Sequence, residues 1–292
     1  MHEAIPSRTA LRVALRRAAH QLYDPPPLVF EDPLAVRILA GNQGERGPYI
    51  QELRKTSTRL EALHSIALRA FLVARSRYAE DTLAHAVQTT GLSQYVLLGA
   101  GLDTFAHRNP YPNLRVYEVD HPATQAWKLA LLAQANLPIP PSLTHTPVDF
   151  ERESLAERLQ ASGFDPTRTT LFAWLGVVPY LTLPAFRATV AFIAAQPPGS
   201  GVVFDYAQPR AVLPPLEQLA HDSLAARVAL VGEPFQLYFT PAEVARELSR
   251  FSHIEDLGRD QLNPRYFPPR AGTPQPQLQL LSTSGRLLSA WL

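Results

Sequence analysis

Leu11, Leu15, Ala18 and Leu22 recur at helical spacing, with Arg8, Arg12 and Arg16 on another face, so the chain opens on an amphipathic helix over residues 8–22. Asp24-Pro25-Pro26-Pro27 stops it. Asp32-Pro33-Leu34-Ala35 starts a second helix, with aspartate as cap and proline at the first helical position. Residues 41–48 read as a loop. A long helical region follows over residues 58–90, ends at Gly91 and carries Arg75-Ser76-Arg77-Tyr78 near its middle.

From residue 95 the pattern changes from a helical period to short apolar runs. Strands are expected over residues 95–98, 114–119, 144–148, 170–174 and 201–205, separated by helical stretches, which is the pattern of a parallel, doubly wound α/β sheet. Residues 208–240 interrupt the alternation with prolines and a helix over 216–228, and read as an inserted cover over the strand ends. Residues 251–257 and 280–291 supply late strands around a loop at 268–276. The organisation expected is one domain over residues 1–292, with a helical extension over 1–92 and a sheet core over 93–292 that contains the 208–240 cover.

The tip of the first strand carries the most informative chemistry. Tyr95-Val96-Leu97-Leu98 runs into Gly99-Ala100-Gly101-Leu102-Asp103-Thr104, where the two glycines let a ligand approach the backbone. The next strand, Val116-Tyr117-Glu118-Val119, ends in Asp120. That carboxylate lies 19 positions after Gly101, near the spacing of about 20 at which an acidic residue of a Rossmann-type unit meets a ribose diol. A dinucleotide site would place a third glycine or alanine where this chain has Thr104, so that pyrophosphate could rest on the helix amino terminus. The turn therefore suits a nucleoside cofactor without phosphate, of which S-adenosylmethionine is the commonest on this architecture. A nicotinamide-dependent oxidoreductase is the rival enzyme, and a non-catalytic cofactor-binding protein is the rival of a different class.

Composition narrows the partners. At 292 residues and 46% hydrophobic content the chain buries a large core. A net charge of +1 and only 18% charged residues give no basic field for nucleic acid. The absence of cysteine removes disulfides, thiolate catalysis and thiolate metal sites together. No metal is expected, because no histidine-carboxylate cluster has ligand spacing. No segment approaches the roughly 20 apolar residues of a membrane span, and the amino terminus has no signal-peptide core, so a cytoplasmic enzyme without a membrane partner is expected.

Five strings occur in order: Arg75-Ser76-Arg77-Tyr78, Leu98 to Thr104, Tyr117-Glu118-Val119-Asp120-His121-Pro122, Val148-Asp149-Phe150, and Trp174-Leu175-Gly176-Val177-Val178-Pro179-Tyr180-Leu181-Thr182. With Ser7-Arg8-Thr9-Ala10 and Asp32-Pro33-Leu34-Ala35 ahead of them, the chain resembles the leucine carboxyl methyltransferase-like family. More narrowly it is similar to the family's bacterial branch of S-adenosyl-L-methionine-dependent methyltransferases. The resemblance implies a class I, Rossmann-like methyltransferase fold with an amino-terminal helical extension and a helical lid insertion. It further implies that Arg75, or failing that Arg77, binds the carboxylate of the cofactor's methionine part. Gly99, Ala100 and Gly101 would line its methionine and ribose portion, Asp120 would accept from the ribose hydroxyls, and Asp149 with the Phe150 backbone would address adenine. Asp149 also reads as a cap of the helix that follows it. One position departs from the pattern: Leu175 stands where many relatives have glutamate, so no role of that glutamate transfers.

A sulfonium methyl group is already activated, which leaves the enzyme mainly to align the acceptor and exclude water. A carboxylate acceptor needs no base, while for a hydroxyl His107, His121, Tyr180, Asp205 and Tyr206 are candidates without compelling spacing. The catalytic residue is left unassigned. The expected acceptor is a small, partly apolar molecule in a mostly enclosed pocket, with Leu216, Leu224 and Val228 of the insertion as lining candidates.

Overall fold

The apolar run Gln94–Leu98 is buried at every position, and it forms the centre of a seven-stranded sheet. The computed structural model describes residues 7–55, 63–149, 152–230, 234–269 and 278–292. The strands are β1 (Gln94–Leu98), β2 (Arg115–Asp120), β3 (Leu143–Pro147), β4 (Thr170–Trp174), β5 (Gly201–Ala207), β6 (His253–Leu257) and β7 (Gly285–Trp291). Their order is β3-β2-β1-β4-β5-β7-β6, with β1 to β5 parallel and β7 antiparallel to both of its neighbours. The order reverses between β1 and β4. A crevice therefore opens at their carboxyl ends, the switch point at which open α/β sheets bind ligands.

The helices are α1 (Arg8–Tyr23), α2 (Pro33–Ala40), α3 (Pro48–Lys55), α4 (Leu63–Thr90), α5 (Phe105–Arg108), α6 (Pro122–Gln134), α7 (Leu155–Ala161), α8 (Leu183–Ile193), α9 (Pro215–Ala229), α10 (Pro241–Glu247) and α11 (Arg259–Tyr266). Alternate side chains of the strands enter two separate cores, as the two-residue period of a strand requires. Tyr95, Leu97, Leu171, Ala173 and Val203 pack against α4, whose Ala70 and Ala74 permit close approach to the sheet. Val96, Leu98, Phe172, Trp174 and Phe204 face α7 and α8 on the other side. A third core joins Ala14, Ala18, Ile38, Leu39 and Leu53 of the extension to Leu102 and to Leu131 of α6.

Several elements differ from the periodicity. In α1 the buried residues are Ala14, Arg17, Ala18, Ala19 and His20, whereas Leu22 is 45% exposed. The cause is electrostatic: Arg17 turns inward to meet two carboxylates, which rotates the leucine stripe toward the margin. Residues 41–48 contain a 3-10 turn, Gly41–Arg46, and the first residue of α3 rather than a plain loop. α4 is described from Leu63, and the start expected at 58 lies outside the described residues. β7 begins at Gly285 rather than 280 because Ser282 and Thr283 donate instead to the Glu217 carboxylate of α9.

Candidate active site

The turn after β1 is held open by its own backbone. Gly99 and Ala100 N–H both donate to the Val119 carbonyl, at 2.8 and 3.1 Å, and Gly101 N–H donates to Asp120 Oδ2 at 2.6 Å. Gly99 and Gly101 have φ of +70° and +50°, and a Cβ at Gly99 would overlap Val177. Their side-chain-free geometry is thus set by φ and by packing together.

Asp120 Oδ1 accepts the His121 N–H at 2.7 Å. Burial pushes its carboxyl pKa up, opposed by the two backbone N–H bonds. A carboxylate has about four lone-pair sites, so two remain for a diol after these bonds.

Arg75 arrives on α4, only 7% exposed. Its Nη1 donates to Asp205 Oδ2 at 3.1 Å, and the other oxygen of Asp205 accepts the Gly176 N–H. Gly176 has φ +72°, and a Cβ there would lie 2.7 Å from Arg75 Nη2. The guanidinium therefore lies across a bare glycine, braced by a buried carboxylate at the ends of β4 and β5. Arg77 is half exposed and pairs with Asp81 at 2.7 Å, outside this arrangement.

Arg75, Gly99, Ala100, Gly101 and Asp120 line one cavity of about 430 Å³. Asp149 does not line it; its backbone N–H is bonded to Glu153 at 2.9 Å, as befits a residue shaping the start of the next turn. Phe150 lies outside the described residues. Of the five candidate bases only His121 and Tyr180 line the cavity. Asp205 stands behind Arg75, Tyr206 donates to Asp256 at 2.7 Å, and the two ring nitrogens of His107 are buried without a partner. Leu175 contributes an apolar wall where a glutamate would have brought charge.

The lining expected from the insertion is corrected. Leu216 is 82% exposed and Leu224 is not on the cavity wall, while the side chain of Val228 lies outside the described residues. α9 turns its outer face away from the cavity, and the insertion reaches the wall through Pro234 and Gln236 instead. Gln236 and Leu237 N–H both donate to the Pro179 carbonyl, at 2.7 and 3.1 Å, which ties the returning chain to the 3-10 turn Val178–Tyr180.

The motif reading missed the part played by α1 in this wall, through Ala10, Val13, Ala14 and Arg17. A Cβ on Gly101 would lie 3.2 Å from that of Ala10, so the small residues Ala10 and Ala14, one helical turn apart, were the available signal. A buried ionic net holds α1 in place. Arg17 donates to Asp103 at 2.7 Å and to Asp32 at 2.6 Å, Thr104 Oγ1 donates to Asp32 at 2.7 Å, and Arg17 and Arg108 each lie 5.2 Å from the Phe30 ring. Burial raises the Asp103 pKa, but Arg17, Lys128, Arg108 and the Phe105 N–H outweigh it and hold the group at about 2. Thr104, which stands where a dinucleotide fold has its third glycine, is thus a fastening for the extension.

A glycine turn at the switch point of a 3-2-1-4-5-7-6 sheet, with a buried arginine and a strand-end carboxylate lining the same cavity, is the arrangement of a Rossmann-like methyltransferase. Residues 10–194 match the family model described as leucine carboxyl methyltransferase, and the chain belongs to that family. It is 35% identical over 282 residues to the Bacillus subtilis (strain 168) protein named "Putative S-adenosyl-L-methionine-dependent methyltransferase YktD", covering 89% of this chain and 91% of that one. Two crystal structures share the fold. A Thermobifida fusca YX protein described as a "putative methyltransferase" is 18% identical, with a TM-score of 0.57 over 92% of this chain and 98% of the other. A DUF574 family protein from Streptomyces avermitilis MA-4680 is 19% identical, with a TM-score of 0.54 over 88% and 96%.

Proposed function

We propose that this protein transfers a methyl group from S-adenosyl-L-methionine to an oxygen of a small, partly apolar acceptor carrying a carboxylate or hydroxyl. The observation that carries this reading is one cavity that combines Arg75, the glycine turn and Asp120 with the apolar surface of Val13, Leu175, Val177 and Tyr180. Arg75 presents a planar fork suited to the cofactor's carboxylate, and Asp120 retains acceptor capacity for the ribose diol. Asp149 and Phe150 keep their assignment to adenine by resemblance alone.

When bound, the cofactor supplies a methyl group already activated by positively charged sulfur. The chain's own task is to orient the acceptor and keep water out, which Leu175, Val177 and Tyr180 do through apolar surface. A carboxylate acceptor reacts without a base. For a hydroxyl acceptor, His121 and Tyr180 are the candidates within reach of the cavity. His121 accepts the Ala123 N–H at Nδ1, so in its neutral form the ring proton sits on Nε2. The acceptor is a free small molecule of the cytoplasm rather than a nucleic acid or membrane component.

Calorimetry tests the cofactor first: S-adenosylmethionine and its demethylated product bind, and NAD binds far more weakly. Tighter NAD binding sinks the reading. Arg75→Ala and Asp120→Ala each weaken cofactor binding by about 1.5 to 3 kcal/mol, the range for hydrogen bonds to charged groups, with the fold retained; ligand-free melting falls for Arg75→Ala, because it leaves the buried Asp205 without its cation. Normal binding by Arg75→Ala would move the carboxylate site elsewhere. Turnover is then assayed against small carboxylic acids and phenols by release of the demethylated cofactor. Binding without turnover on any acceptor supports the non-catalytic rival, and transfer to nitrogen overturns the oxygen assignment.

A further inference from the structure

Helix α9 carries its leucines on the wrong face for a solitary surface helix. Its inner face meets the rest of the chain through Glu217, which accepts from Ser282 and Thr283, and through His221, whose ring lies 5.4 Å from that of Tyr238. Its outer face carries Leu216, Leu219, Ser223, Ala226 and Leu230, all exposed, the three leucines at 82%, 66% and 85%. The helical bonding runs on to Leu230, whose N–H donates to the Ala226 carbonyl at 3.1 Å. Val212, 52% exposed, stands just ahead of the helix in the turn Arg210–Val212.

We propose that this stripe is the pairing surface for a second copy of the chain, joined antiparallel across a two-fold axis level with residue 221. The proposal stands independently of the acceptor's identity. Intervals of three and four residues along α9 make a continuous seam of the kind that packs helix against helix. Reversal about residue 221 maps the stripe onto itself: Leu216 falls opposite the second copy's Ala226, and Leu219 opposite its Ser223. Each leucine of the first half thus meets a small residue of the other copy, the large-to-small complementarity that a two-fold contact requires.

Area and charge favour the same occupant. The exposed apolar side chains present on the order of 500 Å² per chain, so pairing removes about 1,000 Å² in all, the lower bound of a specific interface before flanking residues are counted. Among the described side chains, the charges beside the stripe are satisfied within the chain, Asp222 by Arg210 at 2.8 Å and Glu217 by the 282–283 segment. They neither repel a second copy nor select a charged partner. α9 also lacks the lysine-flanked polar face of a membrane-surface helix. Pro234 and Gln236, shortly after α9, line the cavity, so pairing would steady the cover beside the active site.

Sedimentation velocity at micromolar concentration is expected to give twice the 32.3 kDa chain mass. The double variant Leu219→Glu/Leu230→Glu is expected to raise the dimer dissociation constant by about 100-fold or more while leaving the melting profile of the monomer and binding of the demethylated cofactor intact. The chain has no cysteine, so single cysteines report the pairing directly. Mixing Leu219→Cys with Ser223→Cys chains should give a disulfide-linked dimer far faster than either variant alone. A monomer throughout, a dimer indifferent to the glutamates, or cross-linking of Leu219→Cys only to itself would each overturn the proposal. So would recruitment of a monomer to anionic or neutral lipid vesicles through the same leucines.

Discussion

Asp32→Ala is expected to destabilise the protein by about 3–5 kcal/mol, the usual result of removing one partner from a buried ion pair. Asp32 is fully buried, where it pairs with Arg17 at 2.6 Å, accepts from Thr104 at 2.7 Å and caps α2 through the Ala35 N–H at 3.1 Å. The alanine leaves the Arg17 guanidinium short of a carboxylate in a place that water does not reach. Urea unfolding measures the loss, and Asp32→Asn, which keeps a side-chain acceptor at this buried position, should lose less than Asp32→Ala. A loss below about 1 kcal/mol would show that α1 is held by apolar packing alone. Asp103 adds a pH signature. Its carboxyl at about 2, against an ordinary 3.8, contributes about 2 kcal/mol that is present above pH 4 and disappears as pH falls toward 2.

Acid between pH 6.5 and 4 is expected to remove about 3 kcal/mol of stability for each of His107 and His145 taken alone. Both rings are held down to about 4 from an ordinary 6.5, first by burial and then by the ammonium of Lys128. The sign follows from the proton count. The unfolded chain binds these protons near pH 6.5 and the folded chain only near 4, so the contribution is full above 6.5 and is lost on acidification. The groups around them are Lys128 on α6, Glu118 on β2 at 2.6 Å from Lys128, and Asp103 in the turn. Burial raises the Glu118 carboxyl, against the pull of Lys128. Denaturant titrations at several pH values measure the slope, and the pair His107→Phe and His145→Gln should each flatten it. An unchanged slope in both variants would assign the acid sensitivity to carboxylates instead.

These two clusters mark where reading along the chain stops. β1 and β4 could be placed from composition, because a central parallel strand is buried on both faces and must be apolar throughout. The glycine turn and Asp120 were equally plain, since positive φ at Gly99 and Gly101 suits glycine and a strand-end carboxylate marks itself by its charge. Arg17 carried no such mark. It stands among Arg8, Arg12 and Arg16, and its burial depends on meeting Asp32 and Asp103 from elsewhere in the chain. The resemblance put Arg75 ahead of Arg77, but the bracing of Arg75 by Asp205 and its seat on Gly176 were not legible, because no local spacing links those residues to α4.

The insertion shows the same division from the other side. The helical period of α9 was legible, and its observed span Pro215–Ala229 brackets the expected one. Its facing was not, because Leu216 and Leu224 are equivalent to a period of 3.6 until one side of the helix has a neighbour. By itself the sequence determined the strand-and-helix order, the glycine turn after β1 and the acidic strand end, all of which follow from short-range sterics and hydrogen-bonding capacity. Only the tertiary structure decided that α1 walls the cavity, that Arg75 is braced by Asp205 and that Leu216 and Leu219 of α9 look outward. Burial of a charge or exposure of a leucine is a property of what the folded chain brings opposite it, and that partner lies far away in sequence.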